Sequence, residues 1–309
     1  MKQIQNKLYA VLFTVTISCI FTSCFSPISG DDIEETEAAT RSEVIIRHQA
    51  FNFYQDDYGT RAALSDESNA NINAITTYIY DGDNEEAFSE TQFRKDFTSN
   101  PEDFGVFSTK LPAGNYRLVS VGYNSESSSA SFVAQDVVNL PAPLIDAWSV
   151  SQEFTVASAG SVNLQPDLKL AVARIALTST DLPTEDAVYV EICLPNCDGQ
   201  KFNPITQAAI NTATDGNMHI QCTVANFLNS EGKFQFERSF FLPSTPVEMA
   251  VTFKILDSNR TAIRSYTLNG PYSFKRGGIN RFAGPVFSAV GDFAFTATTN
   301  WEENENVSF

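Results

Sequence analysis

The sequence predicts an all-β protein: two tandem β-sandwich domains behind a lipoprotein signal peptide and an acidic tether. Three observations lead there. From Glu43 onward apolar residues recur with period two, and few stretches carry them at i, i+3, i+4 and i+7. Gly, Pro, Asn, Ser and Thr are spread along the chain rather than gathered in one tract, as many short strands joined by turns require. At 309 residues the chain is long for one core, so two domains of roughly 100–150 residues are the natural division.

The N-terminus carries the first element. Lys2 and Lys7 form a basic region around the start of a mostly apolar run, Leu8 to Phe21, interrupted by Thr14, Thr16 and Ser18. The run is short of the roughly 20 residues a bilayer-spanning helix needs, so residues 1–23 read as a removable signal peptide. It closes on Phe21-Thr22-Ser23-Cys24, which resembles a lipobox, with Phe21 where leucine is usual. Cys24 is the expected site of acylation (palmitate), and Thr16-Ile17-Ser18-Cys19 is a second candidate. A lipid at Cys24 places the chain on the cell outer membrane, exposed at the surface. Asp31, Asp32, Glu34, Glu35 and Glu37 follow in a stretch too poor in apolar residues to fold, so residues 24–42 form an acidic, disordered tether.

The N-terminal sandwich is expected over residues 43–162. Its first strand runs from Glu43 to Tyr54. Ile72 to Tyr80 is a strand ending at the hairpin turn Asp81-Gly82-Asp83. Ser89 to Asn100 is the one candidate for a short helix. Val106 to Leu111 leads through Pro112-Ala113-Gly114 into Asn115 to Tyr123, which alternates cleanly. Phe132 to Val138 and Gln152 to Val156 add strands, while Leu140-Pro141-Ala142-Pro143 is too proline-rich for a central one. The C-terminal sandwich is expected over 163–309, with strands at Leu168–Ser179, Val188–Leu194, His219–Val224, Phe234–Phe241, Val247–Leu256 and Ile263–Leu268. In the fifth of these, Val247, Met249, Val251, Phe253 and Ile255 face one way, and Thr252 and Lys254 face the other. Phe293 and Phe295 are assigned to a final strand.

Composition excludes several functions. The formal net charge is −17, and loss of residues 1–23 removes two lysines and no acids. Such a chain repels phosphate backbones, so no nucleic acid is expected and membrane attachment depends on the lipid. No nucleophile elbow, Walker loop, dinucleotide glycine fingerprint or His-Glu-x-x-His motif is present, and the only histidines are His48 and His219. No catalytic residues, enzymatic activity or cofactors are expected. Asp81-Gly82-Asp83-Asn84-Glu85 lacks the remaining ligands of a calcium loop and reads as a turn. Cys193 and Cys197 could close a small disulfide loop, with Cys222 the odd thiol. A zinc site near His219 and Cys222 would lack a fourth ligand, so no metal is expected. Trp148 and Trp301, if exposed, would be sugar-stacking platforms, which keeps a glycan-binding surface lipoprotein as the alternative function.

Three stretches together resemble the fimbrillin superfamily of type V pili, in particular its lipoprotein anchor and accessory subunits. They are Ile72 to Asp81 with Leu111-Pro-Ala-Gly-Asn-Tyr-Arg-Leu-Val-Ser-Val-Gly-Tyr-Asn124, Leu168-Lys-Leu-Ala-Val-Ala-Arg-Ile-Ala-Leu177, and Tyr272-Ser-Phe-Lys-Arg-Gly-Gly-Ile-Asn-Arg-Phe-Ala-Gly-Pro-Val-Phe287. The resemblance implies a pair of transthyretin-like sandwiches, a role as fimbrial (pilus) subunit or anchor in cell adhesion, and other fimbrial subunits as partners. It also implies assembly by strand addition, in which protease removal of a first strand opens a groove for a neighbour's strand. Arg41 and Arg61 are the candidate cleavage sites. A cut after Arg41 frees only the tether, and a cut after Arg61 removes the Glu43–Tyr54 strand.

Overall fold

Alternating side chains turn this chain into two stacks of β-sheet, each closed around its own apolar cluster. The computed structural model describes residues 41–52, 60–63, 72–142, 146–268 and 270–288. The strands of the first stack are β1 (Ser42–Arg47), β2 (Gln49–Asn52), β3 (Thr60–Ala63), β4 (Ala74–Tyr80), β5 (Glu86–Phe93), β6 (Val106–Leu111), β7 (Gly114–Tyr123), β8 (Ser131–Ala134), β9 (Val137–Asn139), β10 (Ala147–Val156), β11 (Ser161–Leu164) and β12 (Asp167–Leu170). A three-stranded sheet, β11-β1-β6, lies against a seven-stranded one, β3-β2-β12-β10-β7-β4-β5. Val44, Ile46, Ile75, Ile79, Phe107, Leu118 and Leu168 fill the space between them.

The β4–β5 hairpin turns where the sequence places it. Asp81 Oδ1 accepts the N–H groups of Asp83 and Glu85, and Asn84 takes φ 65, the left-handed conformation that Asn tolerates better than most residues. Strand β7 alternates at first and is then buried on both faces from Leu118 to Tyr123. A third layer covers the far face: Phe132 of β8 stacks on Tyr78 of β4 at 4.2 Å, and the Tyr123 hydroxyl accepts the N–H of Ala130.

The second stack uses β13 (Val172–Ser179), β14 (Tyr189–Pro195), β15 (Lys201–Phe202), β16 (Asn217–Thr223), β17 (Gln235–Phe241), β18 (Val247–Met249), β19 (Thr252–Leu256), β20 (Ala262–Thr267), β21 (Tyr272–Phe274) and β22 (Ile279–Gly284). Its sheets are β17-β13-β22 and β16-β14-β19-β20, with β18 and β21 paired apart. The plan repeats that of the first stack. In each, the opening strand sits in the middle of the small sheet, antiparallel to one neighbour and parallel to a late strand of the same stack, β11 in the first and β22 in the second. The order β5-β4-β7-β10 in the first large sheet corresponds to β16-β14-β19-β20 in the second.

Five expected elements differ. The Glu43–Tyr54 strand is divided at His48, with β1 in the three-stranded sheet and β2 in the seven-stranded one. Ser89–Asn100 is not a helix: its first residues complete the edge strand β5, and only Arg94–Phe97 winds into a 3-10 turn. Phe132–Val138 folds back as the hairpin β8–β9. Leu168–Ser179 is divided at Ala171, with β12 pairing β10 and β2 in the first stack and β13 opening the second. Val247–Leu256 is likewise divided, β18 pairing β21 while β19 joins β14 and β20, although Met249, Val251, Phe253 and Ile255 are all buried as the alternation requires. The Phe293 and Phe295 strand lies outside the described residues.

The stacks are joined by polar and apolar contacts. β15 pairs with β9, and Phe202 stacks on Phe241 at 4.1 Å. Arg174 of β13 reaches Asp146 at 2.6 Å, where burial raises the carboxyl against the pull of the guanidinium.

Candidate strand-exchange site

Ser42, Val44 and Ile46 of β1 point into the first core, and Glu43 and Arg47 point to solvent. This is the alternation that a strand facing one core must have. β1 runs antiparallel to β6 with Ser42 opposite Leu111 and Arg47 opposite Val106, and parallel to β11 with Glu43 opposite Ser161 and Ile46 opposite Leu164. Both edges of β1 are therefore hydrogen-bonded, and the Ser42 hydroxyl donates to Ala157 O at 2.8 Å. Val44 and Ile46 are each 0% exposed. Burying two such side chains contributes about 1.5–3 kcal/mol apiece. Removing β1 would leave an apolar slot between two unpaired ladders, β6 and β11, which is the geometry that accepts an added strand.

His48 fastens the end of β1. It is buried, its Nδ1 lies 3.1 Å from Gly105 O and its Nε2 2.8 Å from Ser120 Oγ. A carbonyl can only accept, so Nδ1 carries the proton and Nε2 accepts from the Ser120 hydroxyl. Ser120 Oγ lies 3.0 Å from Thr77 Oγ1, so the chain of hydrogen bonds crosses from the β1 connection to the large sheet. Burial without a facing carboxylate lowers the His48 pKa to about 4, so the ring is neutral near pH 7. The edge of the ring packs on Phe107 at 5.4 Å. Nothing in the sequence near His48 marks this role, because Gly105 and Ser120 are far away along the chain.

The residues singled out in the sequence fall in different places. Cys24 and Trp301 lie outside the described residues. Arg41 is exposed and immediately precedes β1. Arg61 lies within β3, opposite Phe51 of β2. Trp148 is in β10 and only 9% exposed, packed in the first core, so its indole is no sugar-stacking platform. Cys193, Cys197 and Cys222 are free thiols. His219 and Cys222 face opposite sides of β16, and the ring meets Cys193 on β14 instead. Among the described residues, no helix is long and apolar enough to cross a membrane.

Among the described residues, the surface carries shallow depressions over each stack. One, about 500 Å³, is lined by residues including Asp81, Asn84, Asn115, Arg117 and Glu153 beside the stacked rings of Tyr116 and Phe154. Another, about 470 Å³, lies over the large sheet of the second stack and is lined by Glu191, His219, Gln221 and Lys254 among others.

No protein-family model matches the chain, and no curated protein matches it. Solved structures do. A candidate polysaccharide-binding protein from Bacteroides thetaiotaomicron superposes with a TM-score of 0.53 at 7% identity, over 84% of this chain and 96% of that one. A candidate adhesin from Bacteroides ovatus superposes with a TM-score of 0.51 at 13% identity, over 85% of this chain and 96% of that one. The fimbrial anchor protein Mfa2 from Porphyromonas gingivalis matches at a TM-score of 0.46 and 8% identity, over 79% of this chain and 90% of that one. At these identities the likeness to the two Bacteroides proteins is one of fold. The fold is all-β, built of several packed sheets, as the alternation of the sequence predicts.

Proposed function

We propose that this chain is a non-enzymatic, surface-displayed lipoprotein serving a fimbria as subunit or anchor, joined to partner subunits by β-strand addition and held in the outer membrane by a lipid on Cys24. The tandem-domain division belongs to this reading, with the handover at Ala171 because β11 and β12 pair within the first stack. The observation that carries the proposal is β1: an N-terminal strand, buried on its inner face, paired on both edges and fastened by His48. A strand in that position can be removed by one backbone cut and replaced by a strand from elsewhere. A chain cut at neither arginine keeps its slot filled and its lipid, which suits an anchor. A chain cut after Arg61 loses β1 and β2 and suits a subunit that accepts a strand. The folds it shares belong to proteins described as a candidate adhesin and a candidate polysaccharide-binding protein, which supports a role at the cell surface.

The second reading, a glycan-binding surface lipoprotein, draws on the depression beside Tyr116 and Phe154. Cys24→Ala separates the two. If the chain anchors fimbriae, intact fimbriae are shed into the medium while the wild type retains them. If it only binds glycan, fimbriae stay on the cell and glycan adherence is lost. Intact-mass analysis of the membrane fraction gives the N-terminus directly: an acylated Cys24 supports the anchor, and a start at residue 62 indicates the accepting subunit. An unmodified N-terminus elsewhere contradicts both forms of the proposal.

A further inference from the structure

The outer face of the sheet β16-β14-β19-β20 gathers chemistry that the strand-exchange reading does not use. In β14, Val190, Ile192 and Leu194 point into the core, which turns Glu191 and Cys193 outward. In β16, Met218, Ile220 and Cys222 point inward, which turns His219 and Gln221 outward. The antiparallel register sets Cys193 opposite His219, and Glu191 opposite Lys254 of β19. Three donor atoms meet there: Cys193 Sγ lies 3.5 Å from His219 Nδ1 and 3.4 Å from Glu191 Oε1, and His219 Nδ1 lies 3.2 Å from Glu191 Oε1.

We propose that Cys193, His219 and Glu191 form a zinc-class metal site on the second stack, three protein ligands with a fourth position open to solvent. Sulfur at about 2.3 Å and nitrogen or oxygen at about 2.0–2.2 Å from a tetrahedral ion are separated from one another by about 3.3–3.6 Å. The three distances observed between the donors match those edges to within a few tenths of an ångström. A thiolate, an imidazole and a carboxylate are a ligand set for a borderline-soft divalent ion, and the two anionic ligands neutralise its charge.

A second feature points to the same ligand. His219 Nε2 lies 2.7 Å from Asp215 Oδ2, and Asp215 is itself held by the backbone N–H of Asn217 at 3.1 Å and by its side-chain amide. Nε2–H donates to that carboxylate, which leaves the Nδ1 lone pair for the ion, the carboxylate–histidine–metal arrangement that orients imidazole ligands. The Lys254 ammonium, 2.8 Å from Glu191 Oε1, sits at the edge of the group and would shift to the other carboxylate oxygen when the ion binds. His219 is 36% exposed at its side chain and borders the 470 Å³ depression, so the open position faces solvent. Its occupant is water or a side chain of a partner subunit.

The test uses the purified full-length chain and the metal alone. Cobalt(II) should bind with one-to-one stoichiometry and develop a thiolate-to-cobalt charge-transfer band, and zinc(II) should abolish the band in equal stoichiometry. Cys193→Ser should remove the band. His219→Asn, at an exposed position that does not compromise folding, should weaken binding by about 100-fold or more. Asp215→Asn should keep the band and weaken binding about 10–100-fold, the usual effect of losing a partner behind a ligand. Cys222→Ala, whose thiol faces the core, should leave the band and the affinity unchanged. Absence of a stoichiometric thiolate band in the wild type overturns the proposal, as does a band that survives Cys193→Ser or disappears with Cys222→Ala.

Discussion

β1 and β13 occupy the same position in two copies of one plan, yet only β1 lies where its removal would leave the two stacks joined. β13 is paired from Val172 to Thr178 with β17 and from Arg174 to Ser179 with β22, and the chain enters it directly from β12 of the first stack. β1 is paired with β6 along its length but with β11 only from Glu43 to Ile46, and it is the first of the described strands. A missing β13 would sever the two stacks. A missing β1 severs nothing, and what it leaves is a slot. Separability comes from the strand's place in the chain, with the local pairing much the same in both.

The largest contrast should come from burying an unpaired charge in each strand. Ile46→Asp and Ile175→Asp replace side chains that are each 0% exposed. Each should cost more than about 4 kcal/mol. Ile46→Asp should expel β1, making Arg47 susceptible to trypsin while the second stack still melts cooperatively. Ile175→Asp should abolish the second stack's transition altogether. Equal, global unfolding in both variants would break the comparison.

Next in size is the joint between the stacks. Arg174→Met leaves Asp146, 2% exposed at its side chain, as a buried carboxylate without its cation, at a cost of about 3–5 kcal/mol by chemical denaturation. A change below about 1 kcal/mol would show that Asp146 finds other partners.

His48 makes the first stack pH-sensitive. Its pKa falls from 6.5 in the unfolded chain to about 4 in the folded one, so between those values the unfolded state binds more protons. Stability should therefore be lost as pH falls from 6.5 through 4, by on the order of 3 kcal/mol in full. Protonation forces Nε2 to donate towards Ser120 Oγ and charges a buried ring. His48→Gln should flatten that part of the stability–pH profile. His219, beside Asp215 and half exposed, is shifted the other way and does not add to this slope. The smallest effect is expected at Arg117–Glu153, where the glutamate is 76% exposed. There Arg117→Ala should cost less than about 1 kcal/mol.

Much of this was readable from alternation alone. The hairpin at Asp81, the strands β4, β6 and β7, and the inward set Met249, Val251, Phe253 and Ile255 all follow from period two and turn chemistry. The exceptions have physical causes. β5 is an edge strand whose Glu86, Ser89 and Glu90 are exposed, so no apolar stripe marks it and a short helix fits the composition equally well. The break at Ala171 falls inside an apolar run that is buried throughout, and hydrophobicity carries no sign of which sheet claims which half. His219 and Cys222 are close in sequence but an odd number of residues apart, so a strand sends them to opposite faces. The Cys193–His219 pairing depends on a register between β14 and β16 set across the intervening loop. His48 likewise draws its partners from β7 and the start of β6.

The central claim, that the first strand is a replaceable part, is tested most directly by supplying that strand in trans. A chain lacking residues 24–61 should be prepared and mixed with a peptide of residues 42–52. It should aggregate alone, through its apolar slot and the free edges of β6 and β11. The peptide should bind it, restore a monomer and raise its melting temperature, while the same peptide with Val44→Asp and Ile46→Asp should do none of these. A truncated chain that stays monomeric at unchanged melting temperature and binds neither peptide would contradict the account.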